Sequence, residues 1–215
     1  MDISLRINNL SKKFNDQWVL KSVNLNIYPY EKIAILGANG TGKSTLLKII
    51  AGFLYFDSGE IEWTDADQNK SEIQFSYSAP YIDLFEQLTI QEHLEFHFKQ
   101  KALLEGITLQ EVMDLSDLNA HKHKTLKQLS SGIKQRFKNA LAIFSSGQVL
   151  FLDEPTTNLD EENIRLYQTL LKDHSKQKMV LIASNNSVEY DFICNKEFRI
   201  ENCDLQLVKN KQLWA

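Results

Sequence analysis

The chain has 215 residues, 43% of them hydrophobic and 24% charged, and a formal net charge of −4. That length suits one large core rather than two of equal size, and the balance is that of a globular protein with no broad basic face, so nucleic acid is not an expected partner. No run approaches the ~18 consecutive apolar residues of a membrane span, so any membrane role is expected to come through a partner.

Cys194 and Cys203 make no C-x-x-C pair, and Met1 to Arg6 lack the basic start and apolar run of a signal peptide, which together point to a reduced, cytoplasmic setting. Along the chain, Ile3, Leu5 and Ile7, then Val23, Leu25 and Ile27, alternate with polar residues in the period-two pattern of half-buried strands. Phe14 lies between these runs, where it can stack on an adenine ring or simply pack on the sheet. Gly59 to Trp63 and Ile73 to Tyr77 continue the alternation around a polar turn, so both are expected in an antiparallel sheet.

Between these segments the apolar run Ile33 to Leu36 passes through Gly37-Ala38-Asn39-Gly40-Thr41-Gly42-Lys43-Ser44-Thr45 into Leu46 to Ile50, a helix closed by Gly52. The pattern G-x-x-x-x-G-K-[ST] between a strand and a helix is that of a phosphate-binding loop. Gly37, Gly40 and Gly42 let backbone N–H groups converge on phosphate oxygens, Lys43 reaches the β- and γ-phosphates, and the Ser44 hydroxyl faces Mg²⁺. The helix that starts there directs its positive end at the same anion, so Asn39, Thr41 and Thr45 complete the candidate nucleotide-binding set.

From Thr89 to Ser145 the pattern is helical, and Thr89-Ile90-Gln91-Glu92 and Thr108-Leu109-Gln110-Glu111 both read as capping boxes. His93 and His97 stand one helical turn apart with no evident third ligand, so they are expected to be solvated or packed rather than metal-bound. Ser130 is a good N-cap for an apolar helix running through Leu141, Ile143 and Phe144. Val149 to Leu152 fits a central strand and ends in Asp153-Glu154-Pro155. Asp153 can hold Mg²⁺ through water, and Glu154 can polarise the water that attacks the γ-phosphate. Beyond them, Ser187 is expected to cap a short helix, and Phe198 to Ile200 with Leu205 to Val208 to form a hairpin.

Taken together, the glycine-rich loop, Leu129 to Arg136, Phe151 to Thr156 and Asn158-Leu159-Asp160 resemble the nucleotide-binding domain of the ABC ATPase family, in order and spacing over nearly the whole chain. The resemblance implies an α/β fold: a P-loop NTPase core of ABC type with an antiparallel β subdomain and an inserted helical subdomain. It implies one domain over 1–215, with the helical insertion at about 82–145. Ser130, Ser131 and Gly132 match the signature motif, which in the family contacts the γ-phosphate of a nucleotide held by the opposite subunit; Asp160 matches the D-loop at that interface, and Phe14 the adenine-stacking aromatic. The implied ligands are ATP and Mg²⁺. The implied partners are a second ATPase subunit, identical or not, and a separate membrane permease that would place the chain at the cytoplasmic face of the membrane.

Several positions depart from the family pattern. Ser131 and Ile133 stand where Gly and Gln are usual. The glutamine expected after the strand at Phe75 falls on Ala79 or Ser78, leaving Gln74 or Gln87 as substitutes from a shifted loop. Asn185 occupies the place of the switch histidine; its amide can still donate to a γ-phosphate but cannot become a cation. Glu154, Lys43 and Asn185 are thus the candidate catalytic residues, and Ser44 and Asp153 the candidate Mg²⁺ ligands. The expected activity is ATP hydrolysis coupled to transport, slowed by the changes at Ala79 and Asn185; the alternative is an ATP-gated clamp that barely turns over.

Overall fold

The computed structural model describes residues 2–210, so positions 1 and 211–215 of the expected 1–215 domain lie outside the described residues. Two sheets organise the molecule. The smaller is antiparallel and three-stranded, in the order β2-β1-β4, built from β1 (Ser4–Phe14), β2 (Gln17–Ile27) and β4 (Ser58–Thr64). Phe14 pairs with Gln17 across Asn15-Asp16, both of positive φ, which is the two-residue turn whose twist suits a hairpin.

The larger sheet comprises β3 (Lys32–Leu36), β5 (Phe75–Ser78), β6 (Val149–Asp153), β7 (Met179–Ser184), β8 (Lys196–Glu201) and β9 (Asp204–Asn210). Its order is β5-β6-β7-β3-β8-β9, with every pairing parallel except the terminal hairpin β8–β9. That hairpin turns at Asn202-Cys203, again both of positive φ. Because β3, β6 and β7 are apolar on both faces, they are covered on both. Ile33, Ile35, Val149, Phe151 and Leu181 face Leu46, Leu47 and Ile50 of α1 (Lys43–Ile50) and the buried side of the small sheet. Ala34, Leu36, Leu150, Leu152 and Ile182 face α4 (Ser131–Phe144) and α5 (Glu161–His174).

Helices α2 (Ile90–Gln100), α3 (Leu109–Leu115) and α4 lie between β5 and β6 in the chain. Both expected capping boxes form: Thr89 Oγ1 accepts from Glu92 N–H at 3.2 Å while the Glu92 carboxylate accepts from Thr89 N–H at 2.8 Å, and Thr108 and Glu111 do the same. Each such cap contributes about 1 kcal/mol. At the other end of α1, Gly52 and Phe53 donate to Ile49 and Lys48 carbonyls, the paired bonds of a glycine-closed helix. His93 packs between the rings of Phe85 and Phe137, and His97 Nε2 lies 2.9 Å from Ser145 Oγ.

Two local expectations need correction. Ile73 to Tyr77 does not extend the antiparallel sheet: the hairpin after β4 ends at Ser71, whose N–H donates to Trp63 O, and β5 then pairs in parallel with β6. Phe75 and Tyr77 lie against Phe151, while buried Ser76 and Ser78 donate to Ala142 O and Asn139 Oδ1 of α4, each at 2.7 Å. Alternation in sequence reports two unlike faces and not which strand is the neighbour. The single helical turn Ser187–Glu189 is capped by Asn186, whose side chain accepts from Val188 N–H, and not by Ser187.

Candidate active site

The site is assembled at the carboxyl ends of β3, β6 and β7, where a parallel sheet opens its crevice. The loop from β3 enters α1 through Gly42, at φ 108, where a Cβ would lie 2.6 Å from Val19 Cγ1 of the small sheet. Only glycine permits that close seating of loop against β2. Gly37, Asn39 and Gly40 are accessible, and Thr41 fixes the loop by donating from its Oγ1 to Ala38 O at 3.0 Å. The first helical bond of α1 is Leu46 N–H to Gly42 O, so the donors of Lys43, Ser44 and Thr45 precede the point at which the helix satisfies its own backbone.

Lys43 is only 5% exposed, and its ammonium donates to Gly37 O at 2.8 Å and Ala38 O at 3.2 Å. Burial pulls its pKa below the ordinary value, while the charges of Glu154, Asp153 and Glu189 push it back up. Those three carboxylates therefore act electrostatically on the phosphate-loop lysine.

Asp153 ends β6 almost wholly buried. Its Oδ2 accepts from the Tyr81 hydroxyl at 2.7 Å, and its Oδ1 has no hydrogen-bond partner. A buried, unpaired carboxylate oxygen suits a hydrated divalent cation. Mg²⁺ at nucleotide sites is usually bound by one or two protein ligands plus substrate phosphates. Ser44, half-buried in the first turn of α1, and Asp153 are the two candidates for that role.

Glu154 follows in a left-handed backbone conformation, φ 46, held by its N–H bond to Ala183 O at 2.9 Å. Left-handed backbone is uncommon outside glycine and accompanies functional positions often enough to be informative. With Asn39, Thr156, Asn185 and Glu189, Glu154 lines a cleft of about 290 Å³. Asn185, beyond the end of β7, donates its amide to Asn39 Oδ1 and also lines a neighbouring cleft of about 520 Å³ beside Gly37 and Thr41.

The signature segment and Asp160 do not line these clefts. Ser130 accepts from Ile133 N–H at 3.4 Å as the cap of α4, and Ser130 and Ser131 are exposed. Gly132 packs within its own chain, where a Cβ would lie 2.7 Å from Asn158 O. Asp160 caps α5 by accepting from Asn163 N–H at 2.9 Å. Phe14 sits 45% exposed at the tip of the β1–β2 hairpin, with Lys12 Nζ 5.1 Å from its ring centroid, and it lines neither cleft.

Neither substitute for the missing glutamine reaches Asp153. Gln74 precedes β5 at the opposite end of the sheet, its backbone joined to Gln148, and exposed Gln87 lies beside the start of α2. Ala79 is fully buried. Three groups without a sequence signal of their own enter the site instead. Tyr81 and Tyr77, with hydroxyls 2.7 Å apart, extend from Asp153. Glu189 accepts from Thr156 N–H at 2.8 Å, from Thr156 Oγ1 at 2.6 Å and from Ser184 Oγ. Burial raises the Glu189 pKa, the three hydrogen bonds oppose the shift, and the Glu154 charge adds to it.

The ABC transporter family model matches residues 20–157. The chain is 39% identical over 173 residues to the spermidine/putrescine import ATP-binding protein PotA of Thermotoga maritima, covering 77% of this chain and 46% of that protein. It is 29% identical to the lantibiotic transport ATP-binding protein SrtF of Streptococcus pyogenes, over 85% of this chain and 80% of that one. It thus spans about half or less of the length of PotA-type relatives. A solved ATP-binding subunit of an ABC transporter superimposes with a TM-score of 0.78 at 22% identity, covering 95% of this chain and 90% of that one, a likeness of fold alone. With the phosphate loop, the Asp153-Glu154 pair and α4 in the arrangement described, the chain belongs to the ABC transporter family.

Proposed function

We propose that the chain binds Mg²⁺-ATP and hydrolyses it as one of two ATPase subunits that drive a separate membrane permease. The observation that carries this reading is the convergence of Lys43, Asp153, Glu154 and Asn185, from three strand ends, on one glycine loop. Lys43 and the first N–H groups of α1 bind the phosphates and stabilise charge on the transferring phosphoryl group. Ser44 and Asp153 would hold Mg²⁺, which would supply positive charge to offset that of the phosphates. Glu154 accepts the proton of the attacking water, and Asn185 contributes one neutral donor.

The exposed Ser130 and Ser131, away from the chain's own clefts, support their use on a nucleotide held by a second copy or a related subunit in a head-to-tail pair. We read residues 1–215 as one ATP-binding domain with the helical layer at about 82–145 inserted. No helix among the described residues is long and apolar enough to cross a membrane, in keeping with attachment through the permease at the cytoplasmic face. The named relatives serve different cargoes, so selection of the cargo is assigned to the permease.

A clamp that binds ATP and barely turns over is the second reading, favoured by Ala79 and Asn185. One comparison separates the two. Glu154→Gln is expected to keep ATP binding and lower phosphate release by about 10²- to 10³-fold, as removal of a general base does. Equal rates in the variant and the unaltered chain point to the clamp, and a chain with no Mg²⁺-dependent ATP binding overturns both.

A further inference from the structure

Loop 79–88, which joins β5 to α2, touches the Asp153 carboxylate through Tyr81. An ionised carboxylate can only accept, which sets the order of donors. The Tyr81 hydroxyl gives its proton to Asp153 Oδ2, so the Tyr77 hydroxyl, 2.7 Å from that of Tyr81, donates to Tyr81.

Both rings are held. Lys48 Nζ of α1 lies 3.9 Å from the Tyr81 ring centroid, and Tyr77 packs against Phe53 and Phe151 at 5.4 and 5.8 Å. The loop backbone is tied to α4, with Lys138 Nζ donating to Pro80 O at 2.6 Å and Ala79 O at 3.3 Å. Ser78, the other position where an amide was expected, donates to Asn139 and is fully buried.

One carboxylate oxygen of Asp153 is therefore engaged by a clamped phenol, while the other is buried without a partner. An unpaired buried acceptor is costly unless something binds it. A partner that engages Oδ2 alone fixes the carboxylate's rotation and leaves Oδ1 for the cation or its water, which is what outer-shell donors do at metal sites.

We propose that Tyr81 is the positioning residue of the Mg²⁺ site, orienting Asp153 in place of the absent glutamine and tying that carboxylate to the loop that leads into the helical layer. The proposal rests on the Mg²⁺-ATP reading above and assigns Tyr81 no contact with nucleotide.

The test is equilibrium binding of a fluorescent ATP analogue to the full chain, in EDTA and across a Mg²⁺ titration. In Tyr81→Phe, which keeps the ring over Lys48, the affinity in EDTA is expected to stay within about twofold of the unaltered chain, while the Mg²⁺ midpoint rises about tenfold or more. Asp153→Asn calibrates the assay by losing most of the Mg²⁺ response. A Tyr81→Phe midpoint unchanged within about twofold, or lowered, overturns the proposal, a lowered one meaning that the hydroxyl competes with the cation. Should that variant not fold, Tyr77→Phe removes the donor behind Tyr81, and its midpoint is expected to rise about threefold; an unchanged one overturns the proposal. If the unaltered chain shows no Mg²⁺-dependent binding, the Mg²⁺-ATP reading itself fails. If it does and Tyr81→Phe matches it, only the role of Tyr81 fails.

Discussion

Asn185 gives the site a hydrogen-bond donor that is neutral at every pH, and its amide is directed at Asn39 of the phosphate loop. An imidazole there would be a donor of comparable reach but would gain a charge as the pH falls through about 6.5. Since losing a transition-state donor outright costs about 10²- to 10³-fold, exchanging a neutral donor for a cationic one is expected to gain less than about 10²-fold in Asn185→His. The gain should grow toward acid pH, because the protonated ring is the better partner for a γ-phosphate. Phosphate release measured across that range decides the matter, and no gain at any pH means that Asn185 does not limit the native rate. At this scale the phosphate loop was legible because Gly37 to Thr45 form one contiguous run. Tyr81 was not, because its partner Asp153 is 72 residues away, and the only hint was a pair of tyrosines, Tyr77 and Tyr81, flanking the position where a glutamine was missing. Glu189 was hidden in the same way: its carboxylate serves Thr156, 33 residues upstream, and nothing in the local pattern distinguishes it from a surface acid.

Helix α2 carries the clearest pH liability of any element. Burial lowers the His97 pKa from 6.5 to about 4, and the charges of Lys101, just past the end of the helix, and His93 within it add to the shift, while its Nε2 engages Ser145 at the end of α4. The folded chain thus binds this proton less readily than the unfolded chain does. The resulting stability is complete above pH 6.5 and is lost as the pH falls toward 4, by about 2 kcal/mol once partial solvent screening is allowed for. Denaturant midpoints recorded across that range should fall steeply for the unaltered chain and less steeply for His97→Gln, whose amide can keep the Ser145 contact without titrating. Equal slopes mean that another group dominates the acid transition. Elements were legible where their chemistry is local: the Thr89–Glu92 and Thr108–Glu111 boxes announce helix starts within four residues. The placement of β5 was not, because Ser76 and Ser78 become interior residues only when α4 supplies Ala142 O and Asn139 Oδ1, from more than 60 positions away.

For the whole molecule, what matters is that the candidate site residues lie on two separate surfaces. Glu154 and Asn185 line one cleft and the charges of Glu154 and Asp153 act on Lys43, whereas Ser130 caps α4 and Ser131 opens it at an exposed position, and Gly132 is seated on Asn158 of the loop before α5. Gln135 and Asn139 of α4 both donate to Pro155 O, so α4 is tied to the loop that follows Glu154. On the proposed reading an exposed helix N-terminus of this kind would serve a nucleotide on another subunit, and a two-fold pair would complete both sites in one step. If so, Lys43→Ala and a Ser130 variant, each inactive alone, must complement. In an equal mixture half the pairs combine one copy of each, and each such pair holds one intact site of two, so phosphate release is expected to recover to about a quarter of the unaltered rate. Mixing two preparations of the same variant should give none. Activity in the Ser130 variant alone, or an inert mixture when the unaltered chain is active, would show that each chain completes its own site and would remove the reason for α4 to present its cap outward.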